Sequence, residues 1–242
     1  MAGGRRGEAA RFGGAVCFDL SDTIVEWEAA FEAALREAFG EWVGRWSDRQ
    51  AAAAAVDGAV RRYRRARREG MRRASAVRDA AEEMPIEADE RTIRYIVRQC
   101  RRLQTERAGF ADGAEETMRR LARRYRLAIV TNLPADDAAA IWRRLRLHRF
   151  VPERLLFAAG SGAPARKPDV LLFRYVSAQL GVPPHRCVMV GDSYRQDVAG
   201  ALRAGWKAVW LRKRATRLRD PRVSAAPSLP GLPRLLRTLL EE

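Results

Sequence analysis

Residues 15–20 read Ala-Val-Cys-Phe-Asp-Leu, a short apolar run with one acid near its end. A continuous apolar run of this length is typical of a strand that is buried on both faces of a parallel sheet. Two later runs have the same form and lead to Thr131 and to Asp192. Since the carboxyl ends of parallel strands meet at one edge of a sheet, we expect Asp19, Thr131 and Asp192 to lie at that edge.

Helical and strand patterns alternate from about residue 110 onward. Alternation of this kind implies right-handed βαβ units, so we expect an α/β fold with a Rossmann-like, mostly parallel sheet and helices on both faces. The basic run from Arg212 to Arg219 and the proline-rich segment to Pro233 are expected to form an exposed loop. Helices are expected at 136–147, 169–180, 195–204 and 235–240, and strands at 127–131, 155–159, 187–191 and 208–211.

The segment between residues 26 and 109 has only helical periodicity. Its first helix is marked by apolar residues at every fourth position, from Trp27 to Phe39. Further helical repeats run over 48–68 and after Pro85. We therefore expect two domains, an α/β core formed by 1–25 with 110–242 and an inserted helical domain at 26–109.

Composition excludes several classes of protein. The 242 residues are 47% hydrophobic and carry a net charge of +16, and no run is long enough for a membrane span, which favours a globular cytoplasmic protein. Cys17, Cys100 and Cys187 are too widely separated to indicate disulfides or a zinc site. The basic residues are arginines except for three lysines, a bias that GC-rich coding would also produce, so a nucleic-acid partner is not favoured on charge alone.

The acids at the strand ends indicate a cation. Two carboxylates brought together repel each other unless a cation lies between them, and hard oxygen ligands suit Mg²⁺. Lys167, in a loop, is one of the three lysines, and its compact ammonium can act where a broad guanidinium would not fit. The residues alone therefore predict a metal site at the edge of the sheet with one lysine beside it.

Four segments resemble the four motifs of the haloacid dehalogenase superfamily. They are Phe-Asp-Leu-Ser-Asp-Thr at 18–23, Val-Thr-Asn at 130–132, Lys-Pro-Asp at 167–169, and Val-Gly-Asp-Ser at 190–193 with Asp197. The last motif, followed by Val-Ala-Gly-Ala at 198–201, is the most specific of the four. The inserted helical domain resembles the cap that this superfamily carries between its first two motifs.

The resemblance implies a hydrolase that works through a covalent aspartyl intermediate on a small phosphorylated metabolite, with Mg²⁺ as cofactor. It implies that Asp19 is the nucleophile and that Lys167 supplies charge to Asp19 and the phosphate. The residues it assigns to catalysis are Asp19, Ser21, Asp22, Thr131 and Lys167; to substrate binding, Thr131, Asn132 and Lys167; and to the metal, Asp19, the Ser21 carbonyl, Asp192 and Asp197.

Ser21 departs from the motif. Phosphatases of the superfamily have an aspartate there, which protonates the leaving group, and a side chain in that role is worth roughly 10²- to 10⁴-fold in rate. Three alternatives stay open: Asp22 supplies the proton, the substrate has a leaving group that needs none, or phosphatase activity has been lost and the arginines bind a polyanion. Metal-independent dehalogenation of 2-haloacids is a further alternative, because dehalogenases also lack that aspartate. The sequence gives no indication of the substrate or of the oligomeric state.

Overall fold

A computed structural model describes residues 12–44, 48–84, 88–212 and 218–241. The Gly/Arg-rich leader up to residue 11 and residues 213–217 of the expected basic loop lie outside the described residues. The chain divides into two compact units, one formed by 1–26 with 109–242 and the other by 27–108. We call them the α/β unit and the helical unit. Within the described residues, no helix is long and apolar enough to cross a membrane.

The helical unit contains four described helices whose buried faces form one apolar core. Asp48 and Asp89 cap the second and fourth helices, because each side chain accepts backbone N–H bonds from the first turn. The third helix was not expected from the sequence, since its buried positions are mostly alanine and give a weak apolar pattern. The helices are α1 (Trp27–Val43), α2 (Arg49–Arg68), α3 (Arg73–Ala81) and α4 (Glu90–Arg107).

The α/β unit is built on a six-stranded sheet of order β3-β2-β1-β4-β5-β6, in which every pairing is parallel. The predicted Rossmann-like α/β fold is thereby confirmed. The first strand is entirely buried at the centre of the sheet, as its continuous apolar run predicts. The strands are β1 (Ala15–Phe18), β2 (Arg126–Pro134), β3 (Leu156–Ala159), β4 (Cys187–Gly191), β5 (Lys207–Leu211) and β6 (Val223–Ala226).

Within the described residues the α/β unit has five α-helices, and the expectation of a continuous exposed loop between Arg212 and Pro233 is wrong. Residues 195–204 are helical as expected, but the first part of this segment, Tyr194–Val198, is a wider π-helical turn that precedes the α-helix. The expected loop between Arg212 and Pro233 contains β6, an edge strand that is paired on one side only and has a weak pattern. The helices are α5 (Ala114–Leu121), α6 (Ala135–Arg144), α7 (Val170–Leu180), α8 (Ala199–Arg203) and α9 (Leu232–Glu241).

Candidate active site

An acidic cluster lies at the carboxyl ends of β1 and β4. Asp19, Asp192 and Asp197 can each place a carboxylate oxygen within 4.8 Å of the others. Asp19 directly follows β1, and its backbone N–H donates to the Val190 carbonyl of β4 at 2.9 Å. This bond continues the β1–β4 ladder past the end of β1 and so brings Asp19 beside the end of β4. Asp19 and Asp197 are buried, whereas Asp192 is exposed.

Lys167 binds two members of this cluster. Its Nζ lies 2.6 Å from Asp19 Oδ1 and 2.7 Å from Asp197 Oδ1, and its side chain is only 1% exposed. Burial alone would lower the pKa of Lys167, but the charges of Asp19 and Asp197 raise it above the usual value. Lys167 is therefore a buried ammonium that links Asp19, at the end of β1, to Asp197, in the turn after β4.

Asn132 fixes the loop that carries Lys167. Its Oδ1 accepts the Lys167 backbone N–H at 2.9 Å, and its Nδ2 donates to the Lys167 carbonyl at 2.9 Å. The same Nδ2 donates to Gln196 Oε1 at 3.2 Å, a partner that the sequence gave no reason to single out. The sequence predicted a substrate-binding role for Asn132, and the structure shows it holding the backbone of the lysine.

The turn after β4 closes tightly around Asp197. The Ser193 N–H donates to Asp197 Oδ2 at 3.0 Å. A Cβ on Gly191 would lie 2.8 Å from the Asp197 Cβ and still closer to its carboxylate, so only glycine fits at the end of β4. The sequence Gly-Asp-Ser followed by Asp197 is thus explained by close packing as well as by charge.

Negative charge exceeds positive charge in the cluster, because three carboxylates share one ammonium. Although the residue as a whole is exposed, desolvation of its carboxyl, together with the charges of Asp19, Asp197 and Asp22, raises the pKa of Asp192 to about 7. Burial and Asp19 raise the pKa of Asp197 to about 6 against the lowering effect of Lys167. A divalent cation would remove this repulsion, and a set of hard oxygen donors with excess negative charge fits Mg²⁺.

Ser21 and Asp22 lie in a tight turn after β1. Ser21 forms a parallel bridge with Val25, and the Asp22 N–H donates to the Val25 carbonyl at 2.7 Å. Asp22 has φ +55°, a left-handed conformation that aspartate tolerates better than most residues. Its charge contributes to the raised pKa of Asp192.

Thr131 lies inside β2 and not at its end, because β2 extends to Pro134 with a register shift against β3. The Thr131 hydroxyl accepts the Leu133 N–H at 3.2 Å, and the residue is 3% exposed. The expected strand of 127–131 was therefore too short. The irregularity that lengthens β2 follows Val130, so Thr131 is the first residue past its regular pairing with β3.

Several arginines of α2 form ion pairs with acidic residues of the helical unit. Arg62 pairs with Asp79, Glu82 and Glu83, and Arg64 pairs with Glu32. Arg67 and Arg73 both pair with Glu28. This pairing is typical of a solvated, self-balanced helix rather than of a surface reserved for phosphates.

Comparison with protein families gives a match over most of the chain. A family model described as haloacid dehalogenase-like hydrolase matches residues 14–205. Among curated proteins, phosphoserine phosphatase of Thermus thermophilus is 47% identical over 58 residues, which is 24% of this chain and 23% of that protein. Phosphoglycolate phosphatase of Mannheimia succiniciproducens is 34% identical over 85 residues, or 35% of this chain and 36% of that protein. The alignments thus span about a quarter to just over a third of the length of these relatives.

Solved structures match almost the whole chain. A HAD-hydrolase of Bacillus subtilis bound to magnesium has 24% identity and a TM-score of 0.67, covering 93% of this chain and 99% of that one. A HAD family hydrolase of Deinococcus radiodurans with bound phosphate and sodium has 22% identity and a TM-score of 0.65, covering 95% of this chain and 97% of that one. At these identities the likeness shows a shared fold.

Proposed function

The chain belongs to the haloacid dehalogenase-like hydrolases, and we propose that it is a Mg²⁺-dependent phosphatase that acts on a small phosphorylated metabolite through an aspartyl-phosphate intermediate. One observation carries the proposal: Asp19, Lys167, Asp192 and Asp197 meet at one edge of the sheet with more negative than positive charge. Matches to curated phosphatases support phosphate esters as the substrate class. In this proposal the helical unit is the cap that selects the substrate.

Three groups would hold the metal: the carboxylates of Asp19 and Asp192 and the backbone carbonyl of Ser21. When bound, Mg²⁺ supplies positive charge to the phosphoryl oxygens. Asp197 accepts bonds from Lys167 and from the Ser193 N–H, so it would stabilise the site without binding the substrate.

The proposed chemistry proceeds in two displacements. A carboxylate oxygen of Asp19 attacks phosphorus, the bond to the leaving oxygen breaks, and that oxygen departs with the electron pair. Water then attacks phosphorus, the bond between phosphorus and the Asp19 oxygen breaks, and inorganic phosphate leaves with both protons of the water while Asp19 returns to a carboxylate. Lys167 holds Asp19 in a fixed orientation for both steps, and the Thr131 hydroxyl would hydrogen-bond a phosphoryl oxygen.

Proton transfer to the leaving group is the step for which the motif lacks its usual residue. The hydroxyl of Ser21 is far too weak an acid to protonate an alkoxide at neutral pH. Either the Asp22 carboxyl gives the proton, or the natural substrate has a leaving group that departs as an anion, such as an acyl phosphate. The variant Asp22→Asn distinguishes these two alternatives. A large loss of kcat/KM on an alkyl phosphate with a small loss on an acyl phosphate would indicate that Asp22 is the acid.

The direct test is turnover of p-nitrophenyl phosphate by the parent and by Asp19→Asn, each with Mg²⁺ and with EDTA. We expect hydrolysis only by the parent with Mg²⁺. Equal rates in all four conditions would contradict hydrolysis at this site.

Ser21 is also compatible with metal-independent dehalogenation, so halide release from a 2-haloacid in EDTA is the matching control assay. The excess of carboxylates favours the metal-dependent reaction. Without a cation, Asp192 beside Asp19 and Asp197 would only add repulsion between negative charges. Halide release that survives EDTA would favour the dehalogenase.

A further inference from the structure

Trp210 touches the acidic cluster from outside the four sequence motifs. It lies near the end of β5, where it is the register partner of Gly191 in β4. Its indole Nε1–H donates to the backbone carbonyl of Asp192 at 2.8 Å. The next strand of the sheet therefore reaches across to the residue that directly follows β4.

The indole ring is held on two sides. Tyr194 meets it edge to face with ring centroids 5.0 Å apart, and the guanidinium of Arg212 lies 4.6 Å from the ring centroid. Trp210 is only partly buried, and Tyr194 is 44% exposed. A large aromatic side chain at a half-exposed strand end contributes little to the core, so its hydrogen bond and its fixed orientation are its distinctive features.

A hydrogen bond to the Asp192 carbonyl can affect the position of the Asp192 carboxylate. Asp192 lies between the end of β4 and the π-helical turn and is the exposed member of the cluster. A bond to the Asp192 carbonyl restrains the position of the backbone that carries the Asp192 side chain. Partners that orient a metal ligand commonly affect metal affinity even though they never touch the metal.

From these contacts we infer that Trp210 is a positioning residue, which orients Asp192 for the divalent cation through the bond from its indole N–H to the Asp192 carbonyl. The inference rests on the proposed function to the extent that a cation binds at Asp19 and Asp192. It adds a requirement that the four motifs do not contain, namely a ring N–H donor at the end of β5.

The test is Mg²⁺ binding measured by isothermal titration calorimetry without substrate. Trp210→Phe keeps an aromatic ring but removes the donor. Trp210→His keeps a five-membered ring with an N–H at the same place along the side chain. Trp142→Phe is the matched control, because the Trp142 indole donates to the Val151 carbonyl at 2.9 Å in the same unit but away from the cluster. Thermal unfolding of each variant in EDTA reports any general loss of stability.

We expect Trp210→Phe to bind Mg²⁺ about threefold to tenfold more weakly than the parent, a smaller effect than removing a partner of the carboxylate itself. At pH 8, Trp210→His should recover most of the affinity, and Trp142→Phe should bind like the parent. Parent-like binding by Trp210→Phe would overturn the inference, and so would equal weakening in both phenylalanine variants. If the parent itself binds no Mg²⁺, the proposed metal-dependent function is wrong as well. If the parent binds Mg²⁺ and Trp210→Phe binds it equally well, only the role of Trp210 is wrong.

Discussion

A single ammonium stabilises the acidic cluster of this protein. Lys167 reaches Asp19 and Asp197 at 2.6 and 2.7 Å, and its side chain is almost wholly buried. The chain uses arginine nearly everywhere else, but a guanidinium is larger and would not fit the space that a point charge fills between two carboxylates. The rare residue type therefore lies where its small charged group is needed.

We expect Lys167→Gln to lower the free energy of unfolding by about 3 kcal/mol in EDTA, because it leaves two buried carboxylates without their cation. Added Mg²⁺ should restore more stability to the variant than to the parent, since it supplies part of the missing charge. Chemical denaturation in EDTA and in Mg²⁺ measures both effects. Lys207→Gln is the control, since its ammonium donates to an uncharged acceptor, the Leu239 carbonyl. An equal Mg²⁺ effect on all three proteins would contradict this electrostatic explanation.

Ser21→Asp should restore the missing acid. On an alkyl monophosphate we expect a gain of roughly 10²-fold in kcat/KM, at the lower end of what a placed proton donor supplies. On p-nitrophenyl phosphate, whose leaving group departs without a proton, the gain should stay below about tenfold. Steady-state kinetics on the two substrates gives the ratio. An equal gain on both would show that the aspartate acts on the metal and not on the leaving group.

The end of β4 is the element on which the cluster depends most. A Cβ at Gly191 would collide with Asp197, so Gly191→Ala should cost about 1–3 kcal/mol in stability and weaken Mg²⁺ binding. Gly40→Ala in α1 is the matched control, because its Cβ would meet nothing within 4 Å. There alanine should stabilise the protein by about 0.5–1 kcal/mol. Thermal unfolding of the two variants should therefore shift in opposite directions, and shifts of the same sign would contradict the packing argument.

The helices of the helical unit are joined by a polar cluster around Glu28. Its carboxylate accepts from the Tyr63 hydroxyl at 2.7 Å and from Arg73 at 2.7 Å. Burial alone would raise the pKa of Glu28, but Tyr63, Arg73 and Arg67 lower it below the usual value. A lowered pKa stabilises the folded state above the ordinary glutamate pKa, and this contribution is lost as the pH falls through the folded value.

Glu28→Gln should therefore destabilise the protein by about 1–3 kcal/mol at pH 7 and by less at pH 3, because the contribution of the ionised carboxylate is lost as the pH falls below the ordinary glutamate pKa. Urea unfolding followed by circular dichroism at the two pH values measures the difference. Glu69→Gln, which removes an exposed partner of Arg65, should change little at either pH. A pH-independent loss in Glu28→Gln would show that shape and not charge matters at this position.

At the level of the whole molecule, the sequence predicts the sheet and the place of its site well. The apolar runs ending near Asp19 and Asp192 predict buried parallel strands, and the structure has them side by side as β1 and β4. These strands could be predicted because central parallel strands are covered on both faces and therefore have a continuous apolar pattern. The sequence also placed Lys167 beside this site, but the bonds of its ammonium to both Asp19 and Asp197 depend on the course of the loop before α7, which local patterns do not predict.

Other parts of the molecule depend on contacts that local patterns do not record. The sequence did not predict β6, because an edge strand of four residues, two of them buried, has too short an alternation of apolar and polar residues to be recognised. α3 was missed because alanine fills its buried face. The bond from Trp210 to Asp192 joins residues 18 positions apart on neighbouring strands, and no spacing rule in the sequence connects them.

The most direct measurement is a crystal structure of the full chain grown with Mg²⁺. It should show one ion within about 2.1 Å of a carboxylate oxygen of both Asp19 and Asp192, while Lys167 keeps its bonds to Asp19 and Asp197. An ion that binds elsewhere, or carboxylates of Asp19 and Asp192 that point apart in the presence of Mg²⁺, would contradict the metal-dependent active site.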